Sequence, residues 1–101
     1  MADKVAAGKE IKVNFPDNLK GGSYCNLLFI SHTKEEFILD FMMVAPPTGA
    51  VTSRVIMSPG HMKRTIAALQ DNLKKYEKEY ESIKEAPEPQ TGKGKIGFPT
   101  P

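Results

Sequence analysis

Residues Lys9 to Phe15 alternate between apolar and polar side chains, with Ile11, Val13 and Phe15 on one side and Lys12 and Asn14 on the other. That period of two predicts a half-buried strand, which Pro16 and Asp17 end. A loop through Gly21 and Gly22 leads into Ser23 to Ser31, where Leu27, Leu28, Phe29 and Ile30 follow one another. A continuous apolar run of that length predicts a strand covered on both faces. After a polar turn at His32 to Glu35, residues Glu36 to Val44 predict a third strand, interrupted only by Asp40. Two prolines, Pro46 and Pro47, cannot donate to a ladder and mark the next turn, and Val51 to Met57 predicts a fourth strand.

The period then changes. Ser58 followed by Pro59 is a helix-start pair, because serine accepts a bond from an orphan first-turn amide and proline at the first helical position gives up no useful donor. Met62, Ile66, Leu69, Leu73, Tyr76, Tyr80 and Ile83 recur at alternating spacings of four and three, with Ala67 and Ala68 widening the stripe near its start. The predicted fold is therefore α+β, a four-stranded antiparallel meander followed by one long C-terminal helix. The boundaries are a flexible N-terminus over 1–8, a single domain over 9–84, and a disordered Pro/Gly/Lys tail over 85–101.

Pairing the third and fourth strands across Pro47 to Gly49 places Phe37, Leu39, Phe41, Met43, Val51, Val55 and Met57 on one face. Ile38, Met42, Val44 and Ile56 fall on the other, with Asp40 and Arg54 in diagonal reach. One helix covers one face, so the second is expected to stay open as an apolar patch. A helix of about 26 residues reaches roughly 39 Å and overhangs a strand of about 30 Å. Its overhanging turns, with Tyr76, Tyr80 and Ile83 bordered by charges, suit a partner helix. These positions, with Ile38, Met42, Val44 and Ile56, form the expected oligomer or partner surface; the plainer alternative is that the last turns cap their own sheet in a monomer.

Composition adds limits. The chain has 101 residues, 40% of them apolar and 26% charged. A folding unit this small is only marginally stable alone, which again favours a homodimer or higher oligomer. No apolar run approaches membrane-spanning length, and the first ten residues lack the apolar stretch of a secretory signal, so no membrane is expected and the location is expected to be cytoplasmic. Fourteen Lys and Arg against twelve Asp and Glu leave a net charge of +2, too little concentrated charge to argue for nucleic acid. Cys25 is the single cysteine and lies beside an apolar run, where an inert thiol is ordinary.

Candidate chemistry is sparse. The helix start offers free amides after Ser58 together with His61, Lys63 and Arg64, and with Arg54 nearby this makes a candidate anion site. The alternative is a solvated basic turn paired to Glu35 or Glu36. Gly92, Gly94 and Gly97 spell a dinucleotide-type glycine pattern but lie in a proline-rich tail, not between a strand and a helix. Lys93 and Lys95 beside Ile96 and Phe98 could form a short docking peptide. Asp40 reads as the structural partner of Arg54 more naturally than as a catalytic carboxylate. His32 and His61 have no neighbours at metal-ligand spacing. No catalytic residue, metal site or cofactor is expected.

The segments Tyr24-Cys25-Asn26, Glu36-Phe37-Ile38-Leu39-Asp40-Phe41, Ser53 to Pro59 and His61-Met62-Lys63-Arg64 resemble a family of short prokaryotic proteins classified as a domain of unknown function. The likeness spans most of residues 10 to 80 and implies domain boundaries without naming an activity. In architecture alone, four strands followed by a long helix is similar to the protomer of the SecB export chaperone, which assembles through such sheets and helices and offers apolar grooves to unfolded chains. Together these readings predict a non-enzymatic, oligomeric binding or adaptor module with a peptide or protein partner, the alternative being a phosphate or nucleic-acid binder.

Overall fold

The computed structural model of the protein describes residues 5, 6 and 9 to 89. The expectations for the tail beyond Pro89, including its glycine pattern and docking peptide, lie outside the described residues. Strands β1 (Val5–Ala6) and β2 (Lys9–Glu10) form a two-residue antiparallel pair. After a short 3-10 turn at Asp17–Leu19 come β3 (Leu27–His32), β4 (Phe37–Ala45) and β5 (Thr48–Met57), an antiparallel meander with β4 in the centre. Helix α1 (Pro59–Glu79) follows after the single residue Ser58. The class is α+β with an antiparallel sheet and one C-terminal helix, and the sheet has three strands, not the four expected.

The missing strand is the first. Ile11, Val13 and Phe15 are solvent-exposed and their segment joins no ladder. Alternation marks a backbone ready to extend, but a strand also needs a neighbouring edge, and this segment finds none among the described residues. The other strands lengthen or shorten at their turns. Thr33 Oγ1 accepts from the amides of Glu35 and Glu36, tightening the turn between β3 and β4. The prolines stop β4 only at Ala45, and β5 begins directly after them at Thr48, three residues before the expected Val51.

At the other end of β3, Asn26 prolongs the ladder with its side chain. Its Nδ2 donates to the Val44 carbonyl and its Oδ1 accepts from the Val44 amide, both at 2.9 Å. Removing both bonds in Asn26→Ala is expected to cost about 1–2 kcal/mol, read as a lower urea midpoint with an unchanged m-value.

Register assigns the faces. Ile30, Leu39 and Val55 form one cross-strand row, and Leu28, Phe41 and Ser53 the next on the same face. Phe29, Asp40 and Arg54 form a row on the opposite face, beside Ser31, Ile38 and Ile56. A bulge between Phe41 and Met42 shifts the pairing, so that Val51 stands opposite Met42 and changes to the Asp40 face. Thr52 sits at this irregularity and its hydroxyl donates to the Phe41 carbonyl. Strict alternation places Val51 with Leu39, and the extra residue corrects it.

Among the described residues, burial is confined to the central strand. Leu39, Asp40 and Met42 are buried, at 5%, 2% and 3% exposure. They point to both faces, so their shielding comes sideways from the flanking strands, not from a covering layer. The helix supplies no such layer, for none of its residues is buried. It touches the sheet at its first turns, where Met62 and Thr65 are half-buried and Thr65 Oγ1 approaches Met57 Sδ at 3.4 Å. The expectation that α1 covers one face of the sheet is corrected: a one-residue link from β5 leaves little freedom to fold the helix back across the sheet.

Candidate binding surface

Asp40 and Arg54 hold the centre of one face. They stand directly opposite in the register, closer than the diagonal expected, and make a two-pronged pair, Arg54 Nε to Asp40 Oδ1 at 2.6 Å and Nη2 to Oδ2 at 3.0 Å. The carboxylate is buried while the Arg54 side chain is 60% exposed. Hydrogen bonding from the guanidinium holds Asp40 below the usual carboxylate range; burial opposes this and the arginine charge adds to it. A depressed folded-state value means stability that is present above the unfolded value of about 3.9 and is lost as pH falls through the lower folded value. Urea midpoints are therefore expected to fall below about pH 4, and Asp40→Asn is expected to flatten that part of the profile.

The pair also engages one member of the candidate anion site. Arg54 is engaged by Asp40 and lies on the face opposite Met57, against which α1 begins. Ser58 Oγ accepts the His61 amide at 3.2 Å, so one first-turn donor already has its partner. Lys63 and Arg64 are exposed and make no ion pair with Glu35, Glu36 or any other described residue. What remains is a basic first turn. Ser58→Ala is expected to cost about 1 kcal/mol, seen as a lower thermal midpoint.

The expected partner surface is only partly available. Met42 is already shielded by its own sheet, Ile38 and Val44 are half-buried, and Ile56 stands 53% exposed. On the helix, Tyr76 and Tyr80 are exposed with ring centroids 4.8 Å apart. Ile83 is not part of the seam, because α1 ends at Glu79 and the Glu77 carboxylate accepts the Ile83 amide at 2.8 Å outside the helix.

Sequence alternation underrated the other face. Leu28, Ile30, Met43 and Val55 remain exposed around buried Leu39. No charge interrupts that part of the sheet. One end is walled by the loop that carries Asn18, Leu19, Gly22, Ser23 and Cys25, which with Phe41, Thr52 and Ser53 encloses an open pocket of about 300 Å³. At the other end α1 rises from Met57. The sheet floor between loop and helix is an apolar trough. The signal that finds it is the one-residue link between β5 and α1, which keeps the helix from roofing the sheet.

A family model for proteins of unknown function, DUF3467, matches residues 1–85. The chain belongs to this family. No curated protein and no solved structure matches it, so the likeness to the SecB protomer gains no support. Among the described residues no three His, Cys, Asp or Glu gather as metal ligands, and no helix is long and apolar enough to cross a membrane.

Proposed function

We propose that this DUF3467 member is a non-enzymatic subunit that self-associates and uses its apolar sheet surface to hold an extended segment of a protein partner. The observation that carries this reading is a single-layer sheet open on both sides beside a helix that buries none of its residues. Sheets and helices reach stability by packing apolar faces against a second layer, and the described residues supply no second layer to this sheet. An open apolar surface of this kind marks an association site.

The two halves of the reading are tested separately. Sedimentation at tens of micromolar is expected to show a species heavier than the 11.1 kDa chain, and a lone 11.1 kDa species rejects self-association. Mixed with a heat-aggregating client protein, the assembly is expected to suppress light scattering equally at about 50 and 200 mM salt, because apolar contacts release no counterions. Suppression that vanishes at the higher salt, or salt-sensitive retention on a nucleic-acid column, points instead to the basic first turn and the phosphate reading.

A further inference from the structure

The geometry points to an antiparallel pairing of α1 with α1 of a second copy, seated through Met62, Ile66, Leu69, Leu73, Tyr76 and Tyr80. The inference deepens the proposed self-association and rests on it. These six positions alternate by four and three, all fall between Pro59 and the cap residue Tyr80, and the last five are exposed. Leu69, at the middle of the helix, is 65% exposed. The seam is about 27 Å long, enough for six interhelical layers.

Two observations choose the antiparallel orientation. The first is shape. In that orientation the layers are Met62 against the partner's Tyr80, Ile66 against the partner's Tyr76, and Leu69 against the partner's Leu73, followed by their two-fold equivalents. Each aromatic ring meets an aliphatic chain and the leucines meet at the centre. A parallel pairing stacks Tyr76 on Tyr76 and Tyr80 on Tyr80, crowding four rings at one end.

The second is charge. Lys63, Gln70 and Glu77 border one side of the seam at seven-residue spacing, and Thr65, Asn72 and Glu79 border the other. Antiparallel packing brings Lys63 to the partner's Glu77 twice by symmetry, sets Gln70 against Gln70 and Asn72 against Asn72, and opposes no like charges. The parallel alternative places Asn72 beside Glu77 and makes no Lys63 pair. Lys63 has no ion-pair partner among the described residues of its own chain, whereas Lys75 is held by Asp71 at 3.1 Å. Glu77 uses one carboxylate oxygen for the Ile83 amide.

A charge-exchange cycle tests the register. Lys63→Glu and Glu77→Lys each convert two attractive contacts per dimer into two repulsive ones, and each is expected to raise the dimer dissociation constant about tenfold. The double exchange is expected to restore the wild-type constant. Both single exchanges suit the helix dipole, acid near the N-terminus and base near the C-terminus, so the helix is expected to stay formed, although Glu77→Lys also removes the acceptor of the Ile83 amide beyond it. Circular dichroism at 222 nm checks this. As an independent readout, Cys25→Ser/Gln70→Cys is expected to cross-link as a dimer with a short bis-maleimide.

Additive losses in the double variant, or no cross-link through the introduced thiol in a protein that still self-associates, overturn the antiparallel register and leave the broader reading standing. A wild-type chain that sediments only as a monomer overturns both.

Discussion

A Leu69→Asp/Leu73→Asp variant is expected to sediment as a single 11.1 kDa species under conditions where the parent chain self-associates, with its helical signal largely kept. Both leucines are exposed in the isolated chain, so the monomer has little packing to lose. Surface substitutions of this kind usually stay within about 0.5 kcal/mol of neutral, to which the weaker helix propensity of aspartate adds a few tenths per site. The assembly has much more at stake. In a two-fold helix pair the two positions supply four buried side chains, worth roughly 6–12 kcal/mol at about 1.5–3 kcal/mol each. Four carboxylates forced into the same layers would also have to be desolvated. A loss of this size exceeds what the remaining tyrosine and isoleucine contacts can hold, and the expected result is complete dissociation. Retention of the oligomer at micromolar concentration places the subunit contact elsewhere, on the sheet.

Local chemistry was the most legible part of the chain. Ser58-Pro59 predicts the start of α1 to the residue because the cap bond and the missing proline donor are properties of two adjacent positions. The two prolines likewise mark the turn between β4 and β5, although β5 begins three residues before Val51. The central strand was readable from Phe37 onward, since an apolar run around a lone Asp40 requires a counter-charge and Arg54 stands at matching distance from the turn. What failed was information held by two segments at once. Ile11, Val13 and Phe15 carry the pattern of a strand, but pattern cannot name a partner edge, and none is present among the described residues. The bulge at Thr52 is a single inserted residue that leaves the apolar count unchanged while moving Val51 to the other face. The length of α1 and its packing on the sheet were both overestimated. The helix ends at Glu79 with Tyr80 as its cap, while the Glu77 carboxylate accepts the Ile83 amide beyond it, and its packing is limited by the one-residue link after Met57.

That link is also why the trough face carries the second large effect. Ile30→Asp/Val55→Asp changes the two residues flanking Leu39 in one cross-strand row, on the face that bears no charged pair. Removing two apolar contacts of about 1.5–3 kcal/mol each weakens a held segment by roughly 3–6 kcal/mol, a hundredfold or more in affinity. Suppression of client aggregation is therefore expected to disappear. Ile56→Asp is the matched control, because it adds one carboxylate to the opposite face. There the new charge lies two residues from Arg54, whose side chain is largely exposed and already neutralises a carboxylate. Its effect on client holding is expected to be small. The contrast follows from desolvation: a partner that covers the Asp40–Arg54 face must strip water from an exposed guanidinium, whereas one that enters the trough displaces water from hydrocarbon alone. Equal loss in the two variants assigns the partner to both faces, and full activity in Ile30→Asp/Val55→Asp removes the trough as its site.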